Sequence, residues 1–127
     1  MRVVSVPSWK FANVVVEQGV WGSNRSHFGK WSEGETVVVL VGYEGVVTGT
    51  VAGKQFVSDQ MIWDEDLFEF RIRLSIVKVI RGDAGRATAA AVRKALAAGL
   101  GNIYGSYIMS QTKLPEEVEL LVKKALQ

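Results

Sequence analysis

A continuous run of valine and leucine constrains the fold of this chain more than any other feature. Residues Thr36–Val41 read Thr-Val-Val-Val-Leu-Val, a composition typical of a strand that is buried on both faces. A second apolar segment, 45–52, follows after the short connection Gly-Tyr-Glu-Gly, which is typical of a hairpin. We therefore expect an antiparallel pair with at least one strand inside the core.

Apolar periodicity predicts further elements on either side of this hairpin. A short β-branched strand and a helix should precede it, and a long strand that alternates apolar and basic residues should follow it with a cationic outer face. The predicted elements are a strand at Arg2–Val6, a helix at Trp9–Gln18, a turn-rich segment at 20–24, a loop at 53–67 and a strand at 68–80.

The C-terminal third of the chain has a different pattern. An Ala-rich helix should begin with Asp83 as its cap and be stopped by Gly99, and 103–109 should form a short final strand. A last helix is predicted over 114–126, because Pro115 suits its first turn while glutamates lie near its start and lysines near its end.

Length and composition fit one domain over residues 1–127, with 48% hydrophobic residues available for a core. Short strands with helices before and after them predict an α+β fold, a small mixed β-barrel with flanking helices. No apolar run approaches the roughly 20 residues that span a bilayer, and the N-terminal residues lack a signal-peptide pattern. We therefore expect a cytoplasmic protein without a membrane partner.

Few residues are available for catalysis. The chain has no Cys and one His, His27, which excludes a disulfide framework, a thiol nucleophile and a multi-histidine metal site. His27 is interpreted as a polar loop residue, and the adjacent acids Asp64, Glu65 and Asp66 as a solvated turn. Phosphate-binding loops, dinucleotide fingerprints and nucleophile elbows do not occur in the sequence. Composition therefore favours a binding protein without cofactor or metal.

Charge is unevenly distributed although the net charge is only +2. Residues 36–70 contain one basic and six acidic side chains, whereas 71–127 contain ten basic and four acidic ones. The basic stretch at 71–94 is interpreted either as solvated faces or as a nucleic-acid surface.

Four tryptophans, Trp9, Trp21, Trp31 and Trp63, precede this basic stretch. A tryptophan in a loop either packs on the core or lines a ligand pocket. Two facing indoles form a flat slot for a nucleobase, where stacking contributes about 1–3 kcal/mol per base. Trp21 and Trp63 are the predicted pair, while Trp9 and Trp31 are interpreted as core or rim residues.

Five short motifs follow one another along the chain: 19–24 (Gly-Val-Trp-Gly-Ser-Asn), 33–41 (Glu-Gly-Glu-Thr-Val-Val-Val-Leu-Val), 56–59 (Phe-Val-Ser-Asp), 67–74 (Leu-Phe-Glu-Phe-Arg-Ile-Arg-Leu) and 104–107 (Tyr-Gly-Ser-Tyr). This succession resembles the EVE domain of the PUA-like superfamily, which has a "WG" turn, a "GD" motif before an apolar strand and an "RIxL" strand. Glu35 and Phe70 stand where that family usually has Asp and Pro. The resemblance implies a PUA-like barrel.

The related YTH domain, in which two tryptophans enclose N6-methyladenine, gives a closer analogy for the site. By this resemblance the chain binds DNA or RNA that carries a modified, methylated base, flipped or unpaired, between Trp21 and Trp63. Pro7 and Phe11 replace polar base-reading residues of YTH proteins, so the resemblance does not specify adenine. The implied base-binding residues are Trp21, Gly22, Ser23, Asn24, Trp63 and Phe11, and the implied phosphate-binding residues are Lys30, Arg71, Arg73, Arg81 and Arg86.

Two other functions remain open at the level of sequence. An ASCH-like hydrolase acting on a small modified nucleoside would need a Lys and a Glu or Thr in one pocket, for which the chain offers Lys30, Glu35 and Thr48. A protein-docking module of a restriction or RNA-processing assembly is compatible with base binding. The structural alternative is that Trp21 and Trp63 plug the ends of the barrel, and that Arg71 and Arg73 pair with Asp64 or Asp66.

Overall fold

The computed structural model describes residues 1–25 and 28–127 as a mixed α+β fold. Its sheet contains six strands, with one α-helix between the first two strands and three α-helices after the last strand. The elements are β1 (Arg2–Val6), α1 (Trp9–Gln18), β2 (Val20–Ser23), β3 (Thr36–Val41), β4 (Gly45–Val51), β5 (Phe56–Val57), β6 (Phe70–Ile80), α2 (Gly82–Leu100), α3 (Tyr104–Ser110) and α4 (Glu116–Ala125), with short 3-10 turns at Phe28–Lys30 and Gly101–Ile103.

The sheet has the strand order β1-β3-β4-β6-β2 and curls into a half-barrel. β1 and β3 are parallel, whereas the β3–β4 hairpin and the other strand pairs are antiparallel. The long strand β6 pairs with β4 through its C-terminal part and with β2 and β5 through its N-terminal part. One strand, β6, therefore belongs to both parts of the curled sheet.

Side chains of β3 alternate between two hydrophobic clusters, one on each side of the sheet. Val37, Val39 and Val41 pack with α1 and the aromatic residues, whereas Val38 and Leu40 pack with α2 and α4. All five of these side chains are buried. The prediction that Thr36–Val41 is buried on both faces is confirmed, because each face of the sheet is covered by helices or loops.

The structure corrects the prediction for 103–109, which is a helix and not a strand. α3 packs against β1 and places Tyr104, Tyr107 and Ile108 on the core of that face. These residues are three and four positions apart, which is the spacing of one helical face. Two aromatic residues and an isoleucine within five positions suggest β propensity, but packing determines the outcome.

Three other predicted boundaries also change. Residues 20–23 form strand β2 instead of a turn, because they pair with the start of β6. Helix α2 begins at Gly82 without a side-chain cap from Asp83, and it continues through Gly99. A side chain at position 99 would collide with α4, because a Cβ there would lie only 2.8 Å from a methyl carbon of Val118, and this close contact explains a glycine inside the helix.

Among the helices of the described residues, none combines the length and the apolar character that a membrane span requires.

Candidate functional site

A pocket of about 630 Å³ opens where the ends of β1, β2 and α3 come together. It contains five of the six predicted base-binding residues, together with apolar and polar side chains from three other parts of the chain. Its lining consists of Ser5, Val6, Pro7, Phe11, Trp21, Gly22, Ser23, Asn24, Arg25, Phe68, Met109, Ser110 and Gln111. A volume of this size is within the range of small-molecule sites.

Strand pairing and close packing fix the position of β2 in this pocket. Trp21 lies opposite Ile72 and Gly22 opposite Arg71 in the antiparallel register with β6. A Cβ on Gly22 would lie 2.7 Å from ring carbons of Trp63 and 3.0 Å from the Cβ of Phe68. Gly22 is therefore required for the close approach of the indole, independently of any contact with a ligand.

The arrangement of the two tryptophans differs from the predicted facing pair. Trp21 and Trp63 are both buried, and Trp63 is not among the residues that line the pocket. Phe11 stacks on Trp63 with ring centroids 5.3 Å apart and an angle of 21°, and its centroid lies 6.4 Å from that of Trp21. Phe11 thus packs against both indoles, so the aromatic wall of the pocket is Trp21, Phe11 and Phe68.

Two amide side chains of the pocket have orientations fixed by their partners. The Trp21 indole Nε1 donates to Gln111 Oε1 at 3.2 Å, and Asn24 Nδ2 donates to Asp66 Oδ2 at 3.0 Å. An indole N–H can only donate and a carboxylate can only accept, so neither amide can be flipped. Gln111 therefore retains its NH₂ group as a donor for a ligand, and Asn24 retains its carbonyl as an acceptor.

Backbone strain is also located at this pocket. Among the described residues, only Phe68 (φ 46°) and Gln111 (φ 56°) are non-glycine residues with positive φ, and both line it. Arg2 Nη1 donates to the Gln111 carbonyl at 2.8 Å and thereby holds this residue at the end of α3. Strained conformations that the surrounding structure maintains occur preferentially at binding sites.

The predicted phosphate-binding residues do not converge on this pocket. Arg71 is buried, which contradicts the predicted cationic outer face at that position, whereas Arg73 is exposed. Arg81 lies over the Trp9 ring at 3.9 Å, Arg86 contacts Asp83, and Lys30 is exposed beside Trp31. The basic side chain at the pocket is instead Arg25, exposed and adjacent to Asn24.

Sequence reasoning misses Arg25 and Gln111 for different reasons. Arg25 directly follows the Trp-Gly-Ser-Asn motif, so its position in the sequence next to the predicted base-binding residues could have identified it as a pocket residue. Gln111 is 90 positions from Trp21, and the helix that precedes it is predicted from sequence as a strand. No local pattern identifies such a residue.

The acidic cluster and the alternative catalytic residues have other partners. The Asp64 carboxylate accepts from Lys10 Nζ at 2.9 Å, which lowers the pKa of Asp64. Glu35 is held by Arg2 Nε at 3.0 Å, in a pocket whose lining includes neither Lys30 nor Thr48. His27 lies outside the described residues.

Within the described ranges 1–25 and 28–127, no group of three or more His, Cys, Asp or Glu side chains is placed to hold a metal ion. In comparisons with known proteins, the sequence matches no protein-family model and no curated protein.

Proposed function

We propose that the 630 Å³ pocket binds a single unstacked base of DNA or RNA, and that a methylated base is the preferred ligand. The observation that carries the proposal is the convergence of Phe11, Trp21 and the segment 22–24 on one pocket. The motif at 19–24 points to Trp21 and the segment 22–24 independently of their proximity to Phe11 in the fold. A pocket for a base has to combine an aromatic surface with polar groups at its edge, and this one does.

Aromatic contact supplies the sequence-independent part of the binding energy. The buried Phe11 and Trp21 and the half-buried Phe68 line the pocket, so a base that enters it contacts aromatic side chains. Stacking on aromatic side chains contributes about 1–3 kcal/mol. The apolar side chains Pro7 and Met109 line the same pocket and suit a methyl group. Burial of one such group contributes about 0.8 kcal/mol.

The two oriented amides supply edge recognition. Gln111 presents a donor and Asn24 presents an acceptor. The Watson–Crick edge of every base carries donors and acceptors side by side, so the two amides can pair with such an edge. A base engaged in a duplex cannot offer this edge, so the ligand has to be unpaired or flipped. Arg25, an exposed residue of the same lining, is the proposed contact for a phosphate of the same strand.

The proposal is tested by titrating the protein with short single-stranded DNA and RNA, with and without one central methylated base. Asn24→Ala should weaken binding at least tenfold, because it removes the acceptor from an exposed position without disturbing the core. Asn102→Ala, at an exposed position in the turn Gly101–Ile103, is the matched control and should bind like the wild type.

Trp21→Phe adds a second arm, since it removes the indole donor that orients Gln111 while keeping an aromatic ring. It should lose affinity, whereas Trp9→Phe should not. Equal affinity of Asn24→Ala and Asn102→Ala, or no binding of any oligonucleotide by the wild type, contradicts the proposal.

A further inference from the structure

A second, smaller pocket of about 120 Å³ lies beside the N-terminal half of β6, and its lining contains two guanidinium groups and no carboxylate. The lining residues are Gln18, Val20, Phe56, Ser58, Gln60, Ile62, Arg71 and Arg73. None of them lines the base pocket, which is the 630 Å³ pocket proposed to bind a base. The two pockets therefore share no lining residue, although residues of β2 line both of them.

Arg71 is a buried cation that is held by backbone carbonyls. Its side chain donates to the carbonyls of Phe68 (3.2 Å), Leu67 (3.1 Å) and Gln60, and it lies 5.4 Å from the centre of the Trp63 ring. No carboxylate in the described part of the chain lies within 4.0 Å of it.

This burial has an electrostatic consequence. Removal from water lowers the pKa of Arg71, and the exposed Asp59 opposes the effect from beyond ion-pair distance. Backbone carbonyls satisfy hydrogen bonds but provide no full negative charge. Buried charges are ordinarily neutralised by a counterion, so this position favours an anion from solvent.

The neighbouring groups are also donors. Arg73 is two residues further along the strand, on the same face, and lies over the Phe56 ring at 4.8 Å instead of pairing with an acid. Ser58 Oγ already accepts from the Gln60 backbone N–H at 3.2 Å, which leaves its hydroxyl hydrogen to donate outwards. The Gln18 amide adds a further donor at the same pocket.

We propose that this second pocket binds a tetrahedral oxyanion, specifically a phosphate group, held by Arg71 and Arg73 with Ser58 as an additional donor. The pocket, of about 120 Å³, is large enough for one such group. Arg71 retains its Nη1 as a donor, because its Nε and Nη2 bond backbone carbonyls. The exposed Arg73 guanidinium can donate with a pair of N–H groups, which match two phosphate oxygens.

The test is a titration with inorganic phosphate followed by ³¹P NMR, at constant ionic strength set with chloride. Arg73→Gln should weaken phosphate binding at least tenfold, and Ser58→Ala should weaken it several-fold. Lys124→Gln removes the same charge at an exposed position of α4 and should bind phosphate like the wild type. Arg73 is exposed, so its replacement does not endanger the fold.

Equal weakening by Arg73→Gln and Lys124→Gln would show only a general charge effect and would overturn the proposal, as would absence of phosphate binding by the wild type. A second arm distinguishes two sources of the phosphate group. If an oligonucleotide displaces inorganic phosphate, the ligand is a backbone phosphate, and if both bind together it is a free phosphate. Either result supports the site.

Base binding and phosphate binding can fail separately. Asn24 does not line the second pocket, so Asn24→Ala should keep full phosphate binding, whatever its effect on oligonucleotides. Loss of phosphate binding in that variant contradicts the separation of the two sites.

Discussion

At the scale of single residues, the base pocket depends on positions where no other side chain would give the same geometry. Gly22 admits the Trp63 ring, and Gln111 occupies a left-handed conformation that Arg2 stabilises from outside the pocket. Such residues act through shape and orientation as well as through contact with a ligand. Substitution of Gly22 or Gln111 therefore tests the geometry directly.

Gly22→Ala should destabilise the protein by about 1–3 kcal/mol, because the new methyl group would overlap the Trp63 ring in a closely packed region. Urea denaturation measures the change. Gly53→Ala is the control, since a Cβ there meets nothing within 4 Å. Similar stabilities of the two variants would contradict the packing of β2 against Trp63.

Gln111→Glu should keep an oxygen for the Trp21 indole while replacing the outward NH₂ donor by an acceptor. We expect oligonucleotide affinity to fall at least tenfold with little change in thermal stability, measured by titration and by melting. Gln127→Glu makes the same charge change at an exposed position. If both variants lose affinity equally, long-range charge and not edge recognition determines binding.

At the scale of elements, local pattern predicts the parts that local chemistry determines. The β3–β4 hairpin, β1 and α1 follow from β-branched runs, the Gly-Tyr-Glu-Gly connection and the Gly19 stop, and the structure confirms them. The helix at Tyr104–Ser110 is not predicted, because seven residues with mixed propensity take their conformation from packing on β1. The polar residues that this helix brings to the base pocket are missed with it.

The loop at 53–67 shows a related limit. It is predicted as a loop, and apart from the two residues of β5 the structure agrees. However, its packing over β6 buries Arg71 and brings Trp63 against Phe11, and neither contact follows from alternation along the strand. The position of a covering loop is tertiary information.

An ion pair connects this loop to α1 and gives a pH-dependent prediction. Lys10 lowers the pKa of Asp64, so the pair contributes stability above the ordinary carboxyl pKa and loses it as pH falls through the lowered value. Lys10→Met should therefore raise the Asp64 pKa towards 3.8, as measured by NMR titration of its carboxyl carbon. Both groups are exposed, so high salt should reduce the difference. An unchanged pKa would contradict the pairing.

At the scale of the whole molecule, the sheet separates the hydrophobic core into two clusters of different composition. The cluster beneath α2 and α4 is mainly aliphatic, whereas the cluster beneath α1 contains the tryptophans and phenylalanines and adjoins the base pocket. The pocket that is proposed to bind a base therefore lies on the aromatic side of the sheet, and the other side is mainly aliphatic packing.

The uneven charge along the sequence does not produce one basic surface. Arg71 is buried, Arg81 and Arg93 lie over aromatic rings, and Arg86 contacts an acid of its own helix. Sequence reveals where the charges occur, but burial and ring contacts determine which of them face a ligand. Fewer cations are consequently placed to contact nucleic acid than the composition suggests.

The most direct test of the base pocket uses the four indole N–H signals of the protein in ¹H–¹⁵N spectra. Trp21 lines the pocket, whereas Trp9 lies beneath Arg81 and Trp63 is buried outside the pocket lining. On addition of a single-stranded oligonucleotide with one methylated base, the Trp21 signal should shift most, and the Trp9 signal should stay in place. A shift confined to Trp9, or no shift of Trp21 at saturating oligonucleotide, would contradict base binding in this pocket.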